Sequence, residues 1–173
     1  MTHEINTTVF GSDVSLSFSA PWAAYWLAFV RVLVGWMMLH AGLEKLMYGF
    51  SAKGYLLFAS KGTVLGPVLQ LFGSNPTLLA FTNFMIPVGE FLIGLGVLLG
   101  ALTRLASYFG AFLMTFFYFT NAGWENGMVN GDLMVLLMFI TVAVFGAGRV
   151  WGIDQWLEQM DWAQSRWARL LLG

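Results

Sequence analysis

Residues 78–99 read LLAFTNFMIPVGEFLIGLGVLL, an apolar run whose one charged side chain is Glu90. A helix needs about 20 apolar residues, each rising 1.5 Å, to cross the hydrocarbon core of a bilayer. The run is therefore long enough to span a membrane, with Glu90 well inside it. An ionised carboxylate at that depth is costly unless it is protonated, faces a polar cavity or meets a cation from another helix. The fold has to provide Glu90 with one of these.

The preceding apolar run, residues 22–43, offers a cation, Arg31. Arg31 lies about nine residues after the start of this run, and Glu90 lies about nine residues before the end of the next. Consecutive spans run antiparallel, so this count places both groups roughly 15 Å below the same surface. The sequence thus predicts an ion pair between Arg31 and Glu90 in the middle of the membrane.

The composition indicates an integral membrane protein surrounded by lipid. The chain has 173 residues, of which 58% are hydrophobic and 10% charged, and its mean hydropathy is +0.73. Soluble domains carry about 25% charged residues. A net charge of -1 without a basic cluster argues against a nucleic-acid partner.

Metal-centred chemistry within one copy is not expected from the ligands available. The chain has no cysteine and only two histidines, His3 and His40. Iron–sulfur ligation needs cysteines, and no zinc-ligand spacing appears. His3 lies in the N-terminal tail and His40 in the first apolar run, so one copy does not supply both ligands of a bis-histidine haem. We therefore expect neither a metal site nor a haem or iron–sulfur cluster held by this chain alone.

Four apolar runs predict four transmembrane helices, over about residues 22–47, 78–99, 105–119 and 133–145. Each run is too long for a strand, and the alternation of a β-barrel is absent. The predicted fold is an all-α membrane protein, a bundle of four transmembrane helices within residues 22–149. Thr103 is a plausible N-cap for the third of these helices.

The two ends of the chain are predicted to lie outside the bundle. Residues 1–21 are polar and predict a loosely ordered N-terminal tail. Residues 150–173 predict an amphipathic helix in the headgroup plane, with its charged side chains opposite an apolar face. That face would consist of Trp156, Met160, Ala163, Trp167 and Leu170.

The loops indicate how the chain is oriented. The long first loop, residues 48–77, is too apolar to extend into water, so we expect it to fold back as short interfacial helices. Residues 121–132 predict a solvated turn, with a docking surface for a partner as the alternative. The lysines and arginines predict a multi-pass protein of the cell membrane with both termini cytoplasmic. The arginines on that side are Arg104, Arg149, Arg166 and Arg169.

The predicted helices each carry a face dotted with polar residues. On the first helix, Arg31, Gly35, Met38, Gly42 and Lys45 form a stripe whose small residues would let the second helix approach closely. A quinone headgroup needs hydrogen-bond partners beside an apolar slot. The candidate quinone site comprises Arg31, Met38, Asn83, Glu90, Thr115 and Tyr118, with Arg31 and Glu90 as the best candidates for a catalytic role.

Two further interpretations remain open for these polar residues. Arg31 and Glu90 could equally form a structural clamp that sets the order of the helices. His40 lies on the opposite side of the first helix, one turn from Glu44. His40 and Glu44 are interpreted as an interfacial pair that touches lipid headgroups or a partner subunit, in preference to a ligand role for His40.

Several stretches together resemble the DoxX/DoxD family of small four-span membrane proteins, which includes the small subunit of thiosulfate:quinone oxidoreductase. The matching stretches are Arg31 with Gly35, AGLEKL at 41–46, Gly89 and Glu90 with Gly94, GALTR at 100–104, FGAGR at 145–149 and GID at 152–154. The resemblance covers roughly residues 22–158. It implies a membrane subunit that works with redox partners, in the DoxD case passing electrons from thiosulfate to a quinone.

Three functions are therefore compared. The first is a membrane subunit of a redox system, linked to quinone and acting with partner subunits or as a homo-oligomer. A chain without cysteine would need a second subunit for any oxidation of thiosulfate. The second is a non-catalytic scaffold or anchor of a larger complex. The third, a small transporter or proton path, has less support because the internal repeats typical of transporters are missing.

Overall fold

The computed structural model describes residues 2–120 and 128–173. The chain is mostly helical, with 75% of the structure in helices, as the sequence predicts. The α-helices are α1 Ala20–Tyr48, α2 Gly66–Ser74, α3 Pro76–Leu99, α4 Thr103–Thr120, α5 Gly131–Val144, α6 Asp154–Leu157 and α7 Arg166–Leu171. The predicted turn at residues 121–132 falls largely outside the described residues.

Two helices in the described part of the chain, α1 and α3, are long and apolar enough to cross a membrane. Helices α4 and α5 form where residues 105–119 and 133–145 predict them. Helix α5 has 14 residues and is about 21 Å long, which is shorter than the hydrocarbon core. Membrane crossing by α4 and α5 stays a prediction.

Glycines bring α1 and α3 into backbone contact, which confirms the predicted role of small residues on α1. A Cβ atom added to Gly35 would lie 2.5 Å from the backbone nitrogen of Leu98, and one added to Gly42 would lie 2.8 Å from Cα of Phe91. Gly94 of α3 lies in the same way against Leu39. These contacts set the antiparallel register of the two helices.

The hydrophobic core lies where α4 and α5 pack against this helix pair. Phe139 of α5 is fully buried, and its ring covers Gly110 of α4. Val97 of α3 and Val34 and Met38 of α1 belong to the same cluster. The core thus connects all four long helices.

The N-terminal segment is a β-hairpin, so the expectation of a loosely ordered tail is wrong. Strand β1 Thr2–Val9 pairs antiparallel with β2 Ser12–Ser19, and Val9 lies opposite Ser12. Phe10 and Gly11 connect the strands, with φ values of 49° and 80°. Two central residues with positive φ suit the right-handed twist of paired strands, which allows a two-residue turn here.

The long first loop contains two short helices, a π-helix at Tyr55–Ala59 and α2. The backbone N–H of Ala52 donates a 2.8 Å hydrogen bond to Oδ1 of Asn83 on α3. At the other end of the loop, Gly73 of α2 packs against Leu56 and Leu57. The loop therefore folds back on α3, and its interfacial position stays a prediction.

The C-terminal segment is not one amphipathic helix, which corrects the prediction for residues 150–173. Helix α6 ends at Leu157, a 3-10 helix covers Asp161–Gln164, and α7 follows. Met160 and Ser165 have extended ψ values of 148° and 149°, which interrupt the helix twice. The buried apolar residues are Ala163, Ala168 and Leu172, whereas Trp156 and Trp167 of the predicted apolar face are exposed.

Candidate functional site

Arg31 does not pair with Glu90, and this prediction is wrong. Arg31 is 2% exposed, and its guanidinium donates to four backbone carbonyl groups. Nη1 bonds to the oxygens of Val97 and Leu98 at 3.3 and 3.1 Å. Nη2 bonds to the oxygens of Val150 and Trp151 at 3.1 and 3.3 Å. Arg31 therefore ties the C-terminal end of α3 to the segment that follows α5.

The register of α1 and α3 explains this correction. With Gly35 beside Leu98 and Gly42 beside Phe91, Arg31 lies level with residue 102 and roughly 18 Å along the helix axis from Glu90. Counting residues from the ends of two apolar runs assumes that both runs are centred at one depth. Helices α1 and α3 are instead staggered, and their glycines make the close contacts at this register.

Glu90 pairs with Lys45, which the sequence places on the predicted stripe but which was not proposed as a site residue. Nζ of Lys45 lies 2.7 Å from Oε2 of Glu90, and the two side chains are 27% and 3% exposed. Nζ also donates to the carbonyl oxygen of Ala41 at 3.3 Å and lies 5.8 Å from the ring centre of Phe50. A buried carboxylate thus meets a cation that is still partly open to its surroundings.

The other residues of the candidate quinone site are spread over the molecule, and their polar groups have protein partners. Asn83 accepts the N–H of Ala52. Thr115 donates to the carbonyl of Ala111 in its own helix, and Tyr118 donates to the carbonyl of Met128. Met38 is buried in the core. Of the six proposed residues, only Glu90 forms a salt bridge within the described part of the chain.

Tyr55 and Thr120 form a second polar contact at the end of the bundle where the long loop lies. Their hydroxyl oxygens are hydrogen-bonded to each other, and the ring of Tyr55 packs edge-on against Phe117 at 5.8 Å. Burial is the main reason that the pKa of Tyr55 is raised above its ordinary value, so this hydroxyl stays protonated. The contact joins the loop to α4.

A second buried carboxylate, Asp154, lies at the opposite end of the bundle, where the turn between α3 and α4 meets the C-terminal segment. Asp154 is fully buried and accepts N–H groups of Leu102 at 2.7 Å, Thr103 at 2.9 Å and Gly173 at 3.1 Å. Asp154 therefore caps α4, in place of the predicted Thr103 hydroxyl. A carboxylate that accepts amides at a helix start is favourable for the helix dipole.

Three of the stretches that resemble DoxD come together at this end of the bundle. We call the region that they form the Gly100 turn; it comprises residues 100–104, 146–149 and 152–154. A Cβ atom on Gly100 would lie 2.6 Å from Cα of Gly152, and the N–H of Asp154 donates to the carbonyl of Gly100 at 2.7 Å. Such backbone contact tolerates no side chain at either glycine. Arg149 and Glu158 form a salt bridge of 2.8 Å beside it, and the hydrogen bond to Glu158 raises the pKa of Arg149.

Comparison with known proteins identifies the family of this chain. Residues 26–171 match the family described as TQO small subunit DoxD. The chain belongs to the DoxD family. No curated protein and no solved structure matches it. Together with its two long apolar helices, family membership makes this DoxD chain a membrane protein of a quinone oxidoreductase-like system. The match begins within α1, so the β-hairpin lies outside it.

Proposed function

We propose that this DoxD chain is the quinone-linked membrane subunit of a redox complex and that Lys45 and Glu90 contact the quinone headgroup. The observation that carries this proposal is the buried ion pair between these two side chains. All four long helices cross the membrane in this proposal, and both termini are cytoplasmic. Oxidation of the electron donor, for which the family resemblance implies thiosulfate, takes place on a partner subunit.

The chemistry of Lys45 and Glu90 suits a quinone headgroup. The two carbonyl oxygens of a quinone accept hydrogen bonds, and the hydroxyl groups of a quinol donate them. The Lys45 ammonium is a donor with three N–H bonds, of which two are used by Glu90 and Ala41. Among the described residues, Oε1 of Glu90 accepts no hydrogen bond. The ion pair thus has one donor and one acceptor to spare.

The position of these groups also suits a hydrophobic ligand. Glu90 lies within one turn of the middle of α3, and Lys45 and Phe50 lie beside it. Bound quinone would be the acceptor of two electrons and two protons, a role that the side chains of this chain do not perform. Oε1 of Glu90 would accept a hydrogen bond from a quinol hydroxyl. Lys45 would orient a carbonyl oxygen of the quinone and stabilise negative charge that develops there.

The test measures the quinone content of protein purified in mild detergent from its native membrane, by organic extraction and chromatography. We expect quinone in near-stoichiometric amount in the natural protein, and its loss in Glu90→Gln and in Lys45→Met. The exposed salt bridge of Arg149 and Glu158 offers matched controls. Arg149→Gln and Glu158→Gln remove the same charges elsewhere and should retain the quinone.

Protein that is free of quinone in its natural form would contradict the proposal. In that case, a partner protein that co-purifies would favour the scaffold function. If quinone persists in both Glu90→Gln and Lys45→Met, the proposed redox function stands, but the headgroup binds at another site. Proton flux through liposomes containing this chain alone would instead favour a proton path.

A further inference from the structure

One face of α1 points away from the rest of the bundle and carries both apolar and polar side chains. We call it the outer stripe. Its members recur at steps of three and four residues, so they share one side of the helix. They are Leu33, Trp36, Met37, His40, Glu44 and Met47, and all six are exposed.

The register of α1 on α3 places the two polar members deep in the helical layer. His40 lies level with about residue 93 of α3, and Glu44 lies level with about residue 89. The middle of α3, Pro76–Leu99, is close to residue 88. A membrane centred on α3 would therefore surround Glu44 with hydrocarbon, where an exposed ionisable side chain is costly.

Neither polar side chain is satisfied within the described part of the chain. No hydrogen bond or ion pair engages the His40 ring or the Glu44 carboxylate there, and His40 only packs near Trp36 at 6.1 Å between ring centres. The imidazole offers an N–H donor and the carboxylate accepts, so the stripe carries two groups that complement each other. Lipid tails provide a partner for neither.

We propose that the outer stripe is the interface with a second copy of this chain, in which His40 of each copy donates to Glu44 of the other. Copies inserted in the same orientation meet with their α1 helices parallel and at equal depth. A two-fold axis along the membrane normal then places the outer stripe of one copy against the outer stripe of the other.

The one-turn separation of His40 and Glu44 is about 6 Å, and the Cα–Cβ bonds of a helix tilt toward its N-terminus. The tilt is the same for both residues, so the side chains of Glu44 and His40 have to span this separation themselves.

This interface depends on α1 spanning the membrane but not on quinone binding. Loss of quinone from Glu90→Gln and loss of the dimer are separate results. Glu90 of α3 faces Lys45 of α1 inside the bundle, away from the outer stripe. A quinone-free protein that still forms the dimer would overturn only the proposed function. A monomer that still holds quinone would overturn only the interface.

The first experiment uses the absence of cysteine from the natural chain. Met37→Cys places one thiol on the outer stripe, and Leu92→Cys places one on the exposed face of α3 as a matched control. Mild oxidation in membranes should convert Met37→Cys to a disulfide-linked species of twice 19.2 kDa and leave Leu92→Cys as the monomer. No dimer with Met37→Cys, or equal dimer with both, would overturn the interface.

The second experiment tests the pairing of His40 with Glu44 in the Met37→Cys background. His40→Glu places two carboxylates opposite each other and should abolish the disulfide-linked dimer. Combining it with Glu44→His restores one donor and one acceptor per contact and should recover the dimer. A dimer that survives His40→Glu, or that the combined variant does not recover while its helical content is unchanged, would overturn the pairing.

Discussion

The two buried charge centres of this protein are held in different ways. At the Gly100 turn, Arg31 and Asp154 bind main-chain groups of four separate segments. In the middle of the α1–α3 pair, Glu90 and Lys45 bind each other through side chains, and each keeps hydrogen-bonding capacity. A charge surrounded by backbone partners is a structural tie, because no ligand can replace those partners without opening the fold. A pair of side chains can exchange one contact for a ligand.

The largest expected effect is at the Gly100 turn. Arg31→Met leaves four carbonyl oxygens without the guanidinium, and buried acceptors without donors destabilise a fold by roughly 3 kcal/mol or more in total. Thermal unfolding in detergent should show a large loss of stability for Arg31→Met. Arg149→Gln removes an arginine from an exposed salt bridge and should cost less than about 1 kcal/mol. Equal losses in the two variants would contradict the role of Arg31 as a structural tie.

The next effect concerns Lys45 and Glu90, measured as a double-mutant cycle. Lys45→Met strands a buried carboxylate, and Glu90→Gln strands a partly buried ammonium. The double variant strands neither, so we expect it to be more stable than Lys45→Met alone, with a coupling of about 1 to 3 kcal/mol. Unfolding in the same detergent measures each variant. Additive losses would show that the salt bridge contributes no coupling.

A third variant tests the contact between α1 and α3 independently of both charge centres. Gly94→Ala places a methyl group 2.5 Å from Cα of Leu39, so α1 and α3 must move apart, at a cost of about 1 to 3 kcal/mol. Gly89→Ala is the matched control in the same helix, because a Cβ atom there meets nothing within 4 Å. Gly89→Ala should be neutral or slightly stabilising. A stable Gly94→Ala variant would contradict the register used to place Arg31 and Glu90.

Local patterns predicted the helices and one of their contacts well. Apolar runs located α1, α3, α4 and α5, and the spacing of Gly35 and Gly42 predicted close approach of α3. The hairpin was missed because its polar strands have no apolar run and depend on the turn at Phe10 and Gly11. The C-terminal prediction failed because helical spacing of tryptophans says nothing about the extended residues Met160 and Ser165.

The candidate site could be predicted only in part. Glu90 was found because a carboxylate inside an apolar run is conspicuous. Lys45 is not predicted as its partner, because counting residues from the ends of the two apolar runs pairs Glu90 with Arg31. Asp154 was missed because its partners are backbone amides, which leave no pattern in a sequence.

The sequence by itself determined that this is a mostly helical membrane protein of the DoxD family, because hydropathy and short motifs are local properties of the chain. Only the tertiary structure decided which charges meet. Glycines allow α1 and α3 to touch at one register, and this stagger carries Arg31 to the Gly100 turn and brings Lys45 to Glu90. A shift between two packed helices depends on contacts between distant segments, so residue counting along either helix cannot supply it.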